Sequence, residues 1–460
     1  MPGTKNAPSP TAPRPAARPG LILALLSLAQ LMVVLDFSIV AVALPDIRRD
    51  LGFTEAGLQW VISAYGLANS GFLLLGGRAA DLYGRRRLLI WGLGLFTLAS
   101  LVGGFAWDPT TLVAMRILQG LGGAAIVPAV LSIVTTTFEE EAARNRAIGI
   151  LGTIAAIGFS LGMVLGGVIT ERWGWAGVFW VNVPIGVLMM AALPFVVPER
   201  RDAAQRGTDI PGAVSVTLGL ILTAHGIAEL GKPTAESLGA LAAGAVLLAV
   251  FIGIERRAAA PMLPLGIFAN RAVSAATVLE FLAGAAVAPM VFLLTLYFQG
   301  MAGYGPLQTG LAFLPHGLAA VVLMGPISRI ITRFGPRPVT LAALAVYAVG
   351  VAPFLLLTPE SGYVRDLLPA LLVTAPALMA AFTAIFVIGS AAVGPGEQGL
   401  VSGLLGTTQQ IGASLGLALV AAMMGETGNL RPGFIAVLVL AASALLLAAV
   451  LLPRRRLAVA

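Results

Sequence analysis

The stretch VVLDFSIVAVALPDI, from Val33 to Ile47, decides how the chain is read. It sets one carboxylate, Asp36, inside an apolar run that extends from Leu21 to Leu44. The run is too long for the apolar core of a signal peptide, about 7–15 residues. It is long enough to cross a bilayer, which takes about 20 residues, and we read it as an uncleaved first membrane span. An ionised Asp at the bilayer centre costs about 2.5–3.5 kcal/mol on insertion scales. A residue that costly needs a partner, a water-filled cavity or a chemical task.

Composition extends this reading to the whole chain. Of 460 residues, 58% are hydrophobic and 11% charged, against roughly 25% charged in soluble domains. The 55 glycines and 29 prolines suit membrane helices, where Gly permits close approach and Pro permits kinks. No polar connection is long enough to hold a separate catalytic or nucleic-acid-binding domain. Cysteine is absent and there are two histidines. Disulfides, thiolate nucleophiles and His-rich metal centres are therefore excluded. No cofactor or metal is expected, and an enzyme is the least favoured class. The net charge of +7 reflects the cytoplasmic excess of Lys and Arg typical of membrane proteins and calls for no nucleic-acid partner.

At about 20 residues per span, fourteen helices fit. They lie near 21–44, 57–77, 88–106, 110–136, 147–169, 176–197, 210–230, 236–254, 272–297, 306–328, 338–358, 366–390, 400–424 and 432–453. The expected fold is an all-α membrane protein. Residues 1–20 form a disordered cytoplasmic tail and 454–460 a basic one. A six-helix bundle occupies 21–200, two inserted spans 201–270, and a second six-helix bundle 271–453. With both ends inside, the inner loops and tails hold 21 Lys and Arg and the outer loops six, with Arg116 left within span 4. That bias places both termini in the cytoplasm and the chain in the cell's inner (plasma) membrane. A monomer is expected. The connection Val393–Gly399 should be inside yet has no Lys or Arg.

The two bundles echo one another in sequence. Glu55-Ala56-Gly57-Leu58 opens span 2, and Gln308-Thr309-Gly310-Leu311 opens span 10. Span 2 leads into GGRAADLYGRRR and span 10 into SRIITRFGPRP. Parallel repeats of this kind build transporters whose site lies between the halves.

Four runs carry more specific information. After span 2, Gly77, Asp81, Gly84 and Arg85 form a G-x-x-x-D-x-x-G-R loop. In span 4, Arg116, Gln119, Gly120 and Gly123 share one helical face at i, i+3, i+4 and i+7. In span 5, Gly149, Gly158, Gly162, Gly166 and Gly167 include a four-residue glycine repeat that lets another helix pack closely. The fourth is the Asp36 segment itself. At 1.5 Å per residue, Asp36 lies about 12 Å from the outer end of span 1, and Arg116 about 9 Å from that of span 4. The two can meet, and protonating Asp36 would then release Arg116.

In these motifs the chain resembles the major facilitator superfamily. The loop resembles that family's signature between spans 2 and 3, which implies that Gly77, Asp81, Gly84 and Arg85 latch a cytoplasmic gate. The second copy keeps Gly335 and Arg337 but has Thr332 in place of the aspartate. The Arg116 run is similar to the family's span-4 signature, associated there with proton transfer. The span-5 spacing resembles the antiporter motif, with Met163 where that motif has Pro. LDFSIVAVALPDI, LQWVISAYGLA and WGWAGVFWVNVPIG are similar to the fourteen-span drug:proton antiporters of EmrB/QacA type.

The resemblance, with Asp36, implies proton-coupled efflux of amphipathic or cationic small molecules by alternating access. The partners are then a small-molecule substrate, protons and the lipid bilayer. An exporter of one metabolite, a proton symporter and a non-transporting receptor on the same fold stay open. Proton coupling is assigned to Asp36, Arg116 and, as a second site in span 9, Glu280. Cavity lining is assigned to Trp60, Tyr65, Gln119, Thr407, Gln410 and Ser414, for which interfacial anchoring and helix glue are the alternatives. His225 and His316 are read as structural.

Overall fold

The computed structural model describes residues 19–138, 140–199, 209–230, 233–258, 261–394, 397–425 and 429–452. Of the expected tails, residues 1–18 and 454–460 lie outside these, while Pro19 and Gly20, expected in the first tail, open the first helix. Among the described residues there is no strand, and fourteen long helices follow one another. The first set is α1 (Pro19–Leu51), α2 (Trp60–Tyr83), α3 (Arg85–Gly103), α4 (Pro109–Thr137), α5 (Glu141–Trp173) and α6 (Asn182–Val196). Next come α7 (Ile210–Ala228) and α8 (Ala235–Arg257). The second set is α9 (Arg271–Leu296), α10 (Pro306–Phe334), α11 (Pro336–Val351), α12 (Leu368–Ala391), α13 (Gln398–Met424) and α14 (Leu430–Leu451). Among the described residues thirteen helical segments are long and apolar enough to cross a membrane, α6 together with the turn before it. The remaining long helix, α2, has 24 residues and reaches about 36 Å.

Helix ends differ from the sequence reading where polar residues extend a span. The first span was expected to stop at residue 44, yet α1 continues through Pro45 to Leu51 with Arg48 and Arg49 in its last turn. Cations there interact favourably with the C-terminal end of the helix dipole. α4 begins where Asp108 caps it, accepting from the Thr111 amide at 2.9 Å, with Pro109 in the first turn.

Packing within the two sets follows one plan. In the first, α1 packs on α5, α2 on α4, and α3 on α4 and α6. In the second, α9 packs on α13, α10 on α12, and α11 on α12 and α14. Glycines fix the register. A Cβ on Gly162 or Gly166 of α5 would press on the carbonyl oxygens of Leu35 (3.2 Å) and Ile39 (2.6 Å) of α1. In the second set Gly412 and Gly416 of α13 lie against the carbonyls of Phe281 and Ala285 of α9. Leu35 therefore corresponds to Phe281 and Ile39 to Ala285.

The sets meet where α5 lies against α10 and α2 against α13, and α7 touches both α2 and α13. These seams are tight at the end away from Arg85–Arg87. There a Cβ on Gly167 would lie 2.6 Å from the Pro306 carbonyl, and one on Gly66 2.7 Å from the Ser414 hydroxyl. The largest apolar cluster also lies there, joining Val40 and Leu44 of α1 to Leu293, Phe298 and Phe313 of the second set. Further toward the basic end, a Cβ on Gly152, Gly325 or Gly406 would meet nothing within 4 Å. The seam is shut at the end away from Arg85–Arg87.

Candidate functional site

Inside the first set the structure brings Asp36 and Arg116 together, both fully buried. Arg116 Nη1 donates to Asp36 Oδ2 at 2.5 Å. Oδ1 accepts from Gln119 Nε2 and from Asn182 Nδ2, each at 2.9 Å. The carboxylate thus receives three donors from two helices, α4 and α6. Arg116 has further support: Nε donates to the Val61 carbonyl at 2.7 Å and Nη1 to Gln119 Oε1 at 2.9 Å. Its guanidinium carbon lies 4.6 Å from the centroid of the Tyr65 ring, an attractive cation–π geometry. Gln119 Nε2 also donates to the Ser100 hydroxyl at 2.7 Å. The two charges form a buried ion pair, and the remaining Arg116 nitrogen, Nη2, has no hydrogen-bond partner among the described residues. Removing one partner leaves an uncompensated charge.

Sequence spacing placed Asp36 and Arg116 in reach of one another, and it put Gln119 on the face of Arg116 but assigned it to cavity lining. It did not single out Asn182 or Ser100. Asn182 had a signal, since it is the one amide in the apolar run VFWVNVPIG at the start of span 6. Ser100 had none, because a hydroxyl in a membrane helix is indistinguishable from ordinary helix glue.

The structure places Glu280 apart from this cluster. It is buried on α9 and makes no ion pair among the described residues. By the glycine register, Asp36 corresponds to Leu282 and Glu280 to Val34. Glu280 is therefore not the repeat's copy of Asp36, and it sits nearer the basic end by about half a turn.

Tyr65 and Gln119 stand around the ion pair in the first set. Gln410 and Ser414 lie on α13 at the seam with α2, where Gly66 packs against both. Thr407 is buried on the same helix, and its hydroxyl has no partner among the described residues. Trp60 lies beside His225 of α7, with ring centroids 6.3 Å apart. His316 meets the Leu371 carbonyl through Nδ1 at 3.1 Å.

In the loop motif, Gly77 falls within α2, and the Asp81 side chain lies outside the described residues. Gly84 has φ +100°, a conformation L side chains rarely adopt, and it makes the turn from α2 into α3. Its counterpart Gly335 has φ +88°. Arg85 donates to the Ser132 carbonyl of α4 at 3.5 Å. Two residues after each turning glycine an arginine reaches the end of the sixth helix of its own set. Arg86 donates to the carbonyls of Pro194 and Val197 at 3.1 and 3.0 Å, and Arg337 to that of Ala449 at 3.4 Å. Thr332, where an aspartate would stand, turns back on its own helix to the Ser328 carbonyl.

In α5, Gly158 lies against Leu31 and Val34, and Gly162 and Gly166 against α1. Gly167 faces α10, and Gly149 faces open space. Met163 keeps its place in an unbroken helix of 33 residues. Its carbonyl lies against Gly310 of α10.

The sequence profile of the Major Facilitator Superfamily matches residues 26–417. The chain is 39% identical to the cephamycin export protein CmcT of Amycolatopsis lactamdurans over 90% of its own length and 87% of that protein's. It is 37% identical to a puromycin resistance protein of Streptomyces alboniger, over 85% of this chain and 79% of that one. It is 31% identical to a tetracenomycin C resistance and export protein of Streptomyces glaucescens, over 93% and 81%. A bacterial homologue of the human lysosomal transporter Spinster shares the fold, with TM-score 0.68 at 16% identity over 94% of this chain and 97% of that one. The nucleoside transporter NupG does so with TM-score 0.66 at 15% identity, over 94% and 99%. The chain belongs to the Major Facilitator Superfamily of membrane transporters.

Proposed function

We propose that this protein exports amphipathic or cationic small molecules in exchange for protons, as a fourteen-span drug:proton antiporter of EmrB/QacA type. The observation that carries the reading is the buried Asp36–Arg116 pair with its amide donors. One carboxylate that can hold a proton, set beside one fixed cation, has two charge states with different needs. Ionised, Asp36 holds Arg116, Gln119 and Asn182 together. Protonated, it no longer balances the guanidinium, and Arg116 keeps only its contacts with Val61, Gln119 and the Tyr65 ring. That change loosens the contact between α1 and α4. The helices on either side of the seam would then rock to open the closed end, with the basic end as the cytoplasmic one and both termini there. Glu280 is a second protonation or cation-binding position, and Gln410, Ser414 and Thr407 line the substrate path. The 21–200 and 271–453 bundles move as the two halves.

Proton flux in inverted membrane vesicles tests this. Adding puromycin or a cationic dye collapses a pre-formed pH gradient in the wild type. Asp36→Asn abolishes the collapse while the protein remains folded in the membrane. Normal transport by Asp36→Asn would sink the assignment. A narrower reading is favoured by one observation: cephamycin, puromycin, lincomycin and tetracenomycin C each give their name to a separate relative. On that reading one natural product collapses the gradient and the rest of a broad panel does not.

A further inference from the structure

We infer that Asn182 is an amide switch that serves both charge states of Asp36. This rests on the proposal above that Asp36 carries the proton. Two amides donate to Asp36 Oδ1, and they are held differently. Gln119 is pinned at both ends. Its Oε1 accepts from Arg116, and its Nε2 donates to Asp36 and to Ser100. Turning it over would set its oxygen against the carboxylate and its NH2 against the guanidinium. Asn182 has one hydrogen bond, from Nδ2 to Asp36 Oδ1, and no described residue holds its own Oδ1. It is 1% exposed and sits at the first position of α6, next to the turn that precedes that helix.

A carboxylate accepts hydrogen bonds only, whereas a carboxylic acid also has an O–H to donate. When a proton from water adds to Oδ1, that oxygen needs an acceptor in a site closed to solvent. Half a turn about the Cβ–Cγ bond of Asn182 exchanges its NH2 for its carbonyl oxygen, so the same side chain accepts the new O–H. A buried O–H with no acceptor would instead cost about 1–3 kcal/mol, a penalty that would oppose loading of the proton. Among the described residues the other ionisable groups facing Asp36 are Arg116 on α4 and Tyr65 on α2. α3 and α6 present the neutral Ser100 and Asn182, and Gly162 of α5 packs on the adjoining face of α1. Asn182 is thus a positioning residue for proton uptake and does not itself carry the proton.

Infrared difference spectroscopy across a pH titration of purified protein tests this. In the wild type, acidification brings up a carboxylic acid C=O band that is missing in Asp36→Asn. In Asn182→Leu, similar in size but with no hydrogen-bonding group, that band moves to higher frequency because the hydroxyl has lost its acceptor. In Asn182→Ser, whose hydroxyl rotates to donate or accept, it returns toward the wild-type position. An unmoved band in Asn182→Leu overturns the switch. If that variant does not fold, wild-type protein carrying 13C-carbonyl asparagine decides. Its side-chain amide band shifts with Asp36 protonation and is pH-insensitive in Asp36→Asn; an amide band that ignores pH in the wild type overturns the switch. If no Asp36 band appears in the wild type at all, the proton-carrier reading fails, a result distinct from failure of the switch alone.

Discussion

At the scale of single residues, Asp36 and Arg116 are a pair whose members need each other more than the fold needs the pair. Breaking such a pair from one side typically costs about 3–5 kcal/mol, whereas removing both charges is often close to neutral. Arg116→Gln should therefore lower the thermal stability of the detergent-solubilised protein strongly. Asp36→Asn with Arg116→Gln should recover most of that loss and remain inactive. Additive losses in the double variant would mean that the pair is not coupled as the 2.5 Å contact indicates. The two charges were legible from sequence because their depths follow from counting residues, and Gln119 only as a neighbour on the face of Arg116. Asn182 was not, because its contact with Asp36 spans 146 positions and depends on how α6 folds back across α1.

At the scale of helices, glycine spacing sets which pairs approach and in what register. Gly166→Ala would drive a Cβ to 2.6 Å from the Ile39 carbonyl, and overpacking of this kind costs about 1–3 kcal/mol. Gly152→Ala meets open space and should be neutral or slightly stabilising, given the roughly 1 kcal/mol helix preference of Ala over Gly. Melting temperatures of the two variants check this, and equal losses would count against the assigned register. The glycine repeat of α5 was visible in sequence. The pairing of Gly412 and Gly416 with α9, which moves Glu280 out of equivalence with Asp36, required the packed helices. The arginine after Gly84, Arg85, was expected at a gate. Arg86 and Arg337 also tie the third helix of each set to the last turn of the sixth, where carbonyls without helical partners accept cationic donors.

At the scale of the whole molecule, a seam shut at the end away from Arg85–Arg87 is what the proposed alternating cycle requires of one of its states. The natural sequence has no cysteine, so cysteines placed by design report without background. A Cβ on Gly66 lies 2.7 Å from the Ser414 hydroxyl, which sets the Ser414 Cβ one bond farther off, near the separation of about 3.5–4.5 Å between the Cβ atoms of a disulfide. Gly66→Cys with Ser414→Cys should cross-link under mild oxidation, stop transport, and regain it on reduction. Full transport by the cross-linked protein would show that α2 and α13 need not separate there.

The sequence by itself determined the membrane class, the all-helical fold and the charge pair at matching depth. Each of these depends on local pattern: runs of about 20 apolar residues, helical periodicity, and the cost of charge in hydrocarbon. Tertiary structure alone decided that Asn182 and Ser100 complete the Asp36 site, that Glu280 is offset from it, and which end of the seam is closed. Those features arise from contacts between helices far apart in the chain. In a membrane every helix is apolar on most faces, so hydrophobic pattern does not say which face meets which neighbour. Only the close approach of backbones at glycines and the demand of a buried carboxylate for donors settle that choice.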